Sequence, residues 1–155
     1  MDNIQKIYKM LNWKNTEDVI AEGLRLAESI EDLSLLIFPP APPSVWENCA
    51  RILHKKSDTE LEPYLDGLLE WIRDLNWPGA QTILNRLKSF SGQKLKSHFI
   101  DAFYRAKEFS NNEGLAWLDY LSELLDNEEL ADELSYPIIE ELQKHYDNQG
   151  SRLDE

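Results

Sequence analysis

Cysteine, valine and threonine are scarce in this sequence, and each scarcity removes an architecture. Cys49 is the single cysteine of 155 residues, so no intramolecular disulfide framework is available. Valine and threonine together occur five times against 24 leucines, a balance that favours helix over sheet. Six glycines and seven prolines leave few breakers. No apolar run approaches the roughly 20 residues that span a bilayer. Met1-Asp2-Asn3-Ile4-Gln5-Lys6 lacks the charged-then-apolar pattern of a secretory leader, so the expected location is cytoplasmic. Positive charge is also short: 16 Lys+Arg face 29 Asp+Glu, a formal net charge of −13, which argues against a generic duplex-binding protein. A hydrophobic share of 42% argues against disorder, and the length suits one domain.

Helical periodicity recurs along the chain. Ile4, Ile7, Tyr8 and Leu11 form a first short stripe, and Thr16 begins a helix carrying Val19, Ile20, Leu24, Ala27 and Ile30. Asp32 caps a short third segment. Four prolines within 39–43 remove backbone donors and impose a stiff, extended connector, expected to pack on the domain because Ile37-Phe38 and Val45-Trp46 flank it. Ser44 is expected to cap the next helix, with Cys49, Ile52 and Leu53 inward. Leu65, Leu68, Leu69, Trp71 and Ile72 form a further stripe. Pro78 is placed at the first position of another helix, and Gly92 is read as a break before a long helix bearing Leu95, Phe99, Ala102, Phe103 and Ala106. Asn111 or Asn112 caps a helix with Leu115, Leu118 and Leu121, and Pro137 opens the last one. The expected fold is all-α: an irregular helical repeat, HEAT-like, of about eight to ten short helices. Residues 1–147 are expected to make a single helical-repeat domain, and 148–155 a disordered tail.

The stretch Leu68-Leu69-Glu70-Trp71-Ile72-Arg73-Asp74-Leu75-Asn76-Trp77-Pro78 resembles the signature of a bacterial family catalogued as domain of unknown function 5071. The upstream Trp46-Glu47-Asn48-Cys49-Ala50 and Lys56-Ser57-Asp58 fit the same likeness, which centres on residues 45–90. The resemblance implies a small, mostly helical bacterial protein, and it carries over no activity, cofactor or catalytic residue.

Chemistry is thin on the page. His54, His98 and His145 form no HExxH pattern, and the spacings His98/Asp101 and Glu141/His145 read as surface pairs on one helix face rather than metal ligands. Cys49 sits near an apolar stripe, where a thiol acts as a small hydrophobe, and His54 is five residues on, too far round the helix to serve it. There is no nucleophile elbow, P-loop or dinucleotide fingerprint. No cofactor or metal is expected, and no enzyme.

Charge distribution says more. Residues 1–109 hold 14 Lys+Arg against 16 Asp+Glu, whereas residues 110–155 hold two against 13, a net −11. Just before the acidic end lies a basic strip of Arg86, Lys88, Lys94, Lys96, Arg105 and Lys107, with Lys94 and Arg105 on one flank of the long helix and Lys96 and Lys107 on another. The acidic end, with Glu123, Asp126, Glu128, Glu129, Asp132 and Glu133, is expected to bind a basic protein, and Trp77 is a candidate aromatic anchor. A toxin-immunity or regulatory protein fits that description. Alternatives stand beside it. The strip pairs with the acidic segment across adjacent helices and does nothing more, or the strip 86–107 binds nucleic acid or a small ligand, or the chain is an enzyme of a kind its motifs do not reveal.

Overall fold

The computed structural model describes the backbone of residues 2–109 and 112–153, and the side chains of 3–109 and 112–147. Among the described residues there is no strand. The helices are α1 (Asp2–Leu11), α2 (Glu17–Ala27), α3 (Trp46–His54), α4 (Asp58–Leu61), α5 (Leu65–Trp71), α6 (Ala80–Lys88), α7 (Gly92–Glu108), α8 (Asn112–Ser122), α9 (Glu128–Glu133) and α10 (Tyr136–Leu153). Short 3₁₀ turns at Leu33–Leu36, Pro43–Val45, Glu62–Tyr64 and Glu123–Asp126 join them. The segment 148–155, expected as a tail, is made of residues whose side chains lie outside the described set.

The long helix α7 organises the C-terminal half. Its apolar stripe, Leu95, Phe99, Ala102, Phe103 and Ala106, is buried against α5, α8 and α9. α10 lies on α8, α6 on α3, and α1 on α2. The buried side chains form one continuous cluster from Ile7 to Leu142. Tertiary hydrogen bonds fasten the N-terminal pair to the rest: buried Asn48 donates from Nδ2 to the Leu11 carbonyl at 2.6 Å, and Tyr8 Oη donates to the Leu35 carbonyl at 2.6 Å.

The proline connector packs as expected. Pro39 is buried, Ala41 is half-buried, and Trp46 Nε1 donates to the Ala41 carbonyl at 3.3 Å. Phe38 takes the left-handed φ of 45° at its entry, so that its ring reaches Trp46, Trp71 and Trp77.

Several local expectations shift. Ser44 does not cap α3, which instead grows out of the Pro43–Val45 turn. Pro78 is not the first residue of α6: Gly79, with φ of 87°, intervenes and the helix starts at Ala80. Gly92 does not break the chain; it is the first residue of α7, behind the Ser91 cap, and it is glycine because a Cβ there would collide with the backbone of Glu129 and Leu130. Leu115 and Val19, placed on apolar stripes, are exposed. Trp117, not on the expected stripe, is fully buried and donates from Nε1 to the Leu69 carbonyl at 3.1 Å.

Candidate functional site

The basic strip comes first, because its side chains are long enough to find partners far along the chain. Every one of its six cations does. On one flank of α7, Lys94 reaches Glu62 at 3.2 Å and Arg105 reaches Glu70 at 2.6 Å. His98 stands between them, its Nδ1 2.8 Å from Asp66. Glu62, Asp66 and Glu70 are spaced four apart, so the 3₁₀ turn and α5 present a carboxylate row to that flank. On the other flank, Lys96 reaches Glu133 at 3.7 Å and Lys107 reaches Glu141 at 3.0 Å. Lys88 pairs with Asp126 at 3.1 Å. Arg86 is buried, with Nη2 at 2.5 Å from Asp58 Oδ1 and 3.1 Å from the Lys56 carbonyl. The strip therefore holds α7 and α6 to their neighbours, and its cations are already neutralised.

The same pairs sort the acidic end. Asp126 receives Lys88 and also accepts from Tyr146 Oη at 2.8 Å, an interaction that pushes the tyrosine pKa up. Glu129 accepts at Oε1 from Ser91 Oγ at 3.3 Å and from the Gln93 N–H at 3.2 Å, and so caps the start of α7. Glu133 is held by Lys96. Glu123 is half-buried, and burial raises its carboxyl above the ordinary value against the pull of Lys88. What remains is Glu128 and Asp132, four apart and exposed on α9, and exposed Glu140 on α10; none of the three has a cation partner among the described residues.

Trp77 lies at the turn between α5 and α6. Its ring makes edge contacts with Phe38 and Trp46, at centroid distances of 5.6 and 6.5 Å. Trp71 is fully buried below it and donates from Nε1 to the Pro78 carbonyl at 3.0 Å. Half of Trp77 is thus core. Its remaining surface lines a 330 Å³ cavity with Arg73, Asp74, Asn76, Asn112, Glu113, Ala116 and Tyr120. Arg73 is fixed there, its guanidinium 4.9 Å from the Phe109 ring centre, 5.5 Å from that of Trp117 and 3.6 Å from Glu113. Only the Trp77 side of this cavity was foreseeable; that Arg73 meets α8 depends on tertiary placement.

The remaining candidates for chemistry are committed to structure. Cys49 is fully buried, and desolvation pushes its thiol pKa up to about 12. The helix-face pairs expected for two histidines are replaced by tertiary ones: His98 meets Asp66, and His145 Nδ1 lies 2.8 Å from the buried Asp119. Glu141, the expected partner of His145, holds Lys107 instead. A further basic cluster, Arg51, His54, Lys55 and Lys56 at and just beyond the end of α3, was not among the expected sites, although its members fall within six residues of one another.

Fold and surface together define an all-α protein whose basic strip is paired with carboxylates of neighbouring helices and whose net negative charge lies in its C-terminal part. The chain belongs to the family described as Domain of unknown function (DUF5071), which matches residues 47–144. No curated protein and no solved structure matches it. Among the described residues no helix is long and apolar enough to cross a membrane, and no group of three or more His, Cys, Asp or Glu is placed to hold a metal ion.

Proposed function

We propose that the chain is a cytoplasmic protein-interaction module, built as an irregular helical repeat, that binds a basic protein through its acidic C-terminal face as a toxin-immunity or regulatory protein. One observation carries this reading. The six strip cations are each occupied by a carboxylate, yet Glu128, Asp132 and Glu140 remain exposed without a cation partner among the described residues. A surface of uncompensated like charge speeds encounter with an opposite partner and rejects like-charged ones. Because those cations are paired, we favour the acidic face over nucleic-acid or small-ligand binding at 86–107. The proposed role is that of a binder, not an enzyme.

The test separates contact from stability. Glu128→Gln, Asp132→Asn and Glu140→Gln are combined, leaving Glu129 and Glu133 to hold α7. The immobilised wild-type protein should retain a cationic protein that elutes as salt rises, and the triple variant should retain less of it and release it at lower salt, with unchanged melting. Retention by the triple variant equal to wild type overturns the reading.

A further inference from the structure

Two cations with no carboxylate ion pair among the described residues, Arg51 and Lys55, stand together away from the strip. Arg51 and Lys55 are exposed on successive turns at the end of α3, with His54 beside them. Across from them, α6 offers Gln81, Thr82 and Asn85. These six residues line a groove of 370 Å³ between the two packed helices, and no carboxylate is among them. Every side chain in the lining carries an N–H or O–H donor.

We propose that this α3–α6 groove is a binding site for a small phosphate-bearing ligand. The guanidinium is held in advance. Asn48 is buried and anchored through Nδ2 to the Leu11 carbonyl, and its Oδ1 accepts from Arg51 Nη1 at 2.9 Å. That leaves the rest of the Arg51 fork for a tetrahedral oxyanion, the geometry in which arginine binds phosphate bidentately. Lys55 adds an exposed second charge, and Gln81 and Asn85, four apart on α6, supply neutral donors. Glu47 is at the margin and accepts from Thr82 Oγ1 at 3.0 Å. On the far side of Arg51 and Lys55 a second cavity of 300 Å³ contains Glu28 and Glu60, so the anion belongs on the α6 side. The volume suits a ligand with one or two phosphates rather than a polymer. A competing role exists for the same cations: they complement the carbonyl end of α3.

The experiment is a ¹H–¹⁵N NMR titration of the full chain at constant ionic strength with inorganic phosphate, pyrophosphate and AMP. Saturable shifts are expected at Arg51, His54, Lys55, Gln81 and Asn85. Arg51→Gln with Lys55→Gln should weaken binding by about tenfold or more. Lys94→Gln, on the strip, should leave it unchanged. Equal affinity for phosphate and AMP identifies the free anion as ligand, and tighter AMP binding identifies a phosphate ester. Three outcomes overturn the site: no saturable shift in the wild type, an equal loss from Lys94→Gln, or a melting decrease in the double variant with no effect of phosphate on either protein. Binding of a single-stranded RNA oligonucleotide while all three small phosphates are inert also overturns it, in favour of nucleic acid.

Discussion

At the residue scale, the α5–α6 turn depends on one glycine. Gly79 has φ of 87°, a region costly for any side chain, and a Cβ there would stand 2.9 Å from both Ala50 Cβ and Trp71 Cζ2. Gly79→Ala should therefore lower stability by about 2 kcal/mol in urea denaturation; a change within error would mean that the turn relaxes at no cost. Cys49 makes a second residue-level prediction. With its thiol buried and its pKa raised to about 12, it should react with a disulfide reagent only as fast as the protein opens. Rapid labelling of the native protein, unaffected by mild denaturant, would contradict that burial. The burial of Cys49 was legible from its stripe, since Ile52 and Leu53 share it. The role of Gly79 was hidden, because the sequence shows a Pro-Gly pair but not which backbone it must touch.

At the element scale, the helices are joined by two kinds of charge pair with different consequences. Lys94–Glu62 and Lys96–Glu133 are exposed by about two-fifths on most of their side chains, so solvent and salt screen them. Each of Lys94→Gln and Lys96→Gln should cost less than about 1 kcal/mol, and the difference should shrink at high salt. Asp58 is another matter. It accepts from Arg86 at Oδ1 and from the Ser91 N–H at Oδ2, tying α4 to α6 and to the start of α7. Asp58→Ala would leave the Arg86 guanidinium, only 11% exposed, without its anion, and should cost about 2 kcal/mol in chemical denaturation. A loss no larger than that of Lys94→Gln would show the network to be as weak as the surface pairs. The split of Lys94/Arg105 from Lys96/Lys107 was readable, because eleven residues make about three helical turns. Which carboxylates they meet was not. The two histidines show why: spacing ranks neighbours on one helix, whereas packing brought His98 to Asp66 and His145 to Asp119 from other helices.

At the scale of the whole molecule, composition disclosed that the fold is helical, and the order of charges along the chain disclosed that the net negative charge is C-terminal, since neither depends on who packs against whom. The structure adds which of those charges are free to act. Glu123 is held above the ordinary carboxylate value chiefly by burial, so the native state binds its proton more tightly than the unfolded chain. Its contribution to stability therefore declines as pH rises from the unfolded value through the raised folded one, and Glu123→Gln should be more stable than wild type at neutral pH and lack that slope. In the proposed function Glu128, Asp132 and Glu140 act differently, through a field in solvent. Their loss should slow association with a basic partner several-fold while changing dissociation little, because exposed rim charges steer encounter more than they hold a complex. Surface plasmon resonance at two ionic strengths measures this: the wild-type association rate should fall steeply with salt and the triple variant's should be flatter. If the substitutions instead accelerate dissociation and leave the association rate and its salt dependence alone, these carboxylates are buried contacts in the complex and the acidic face does not work by steering.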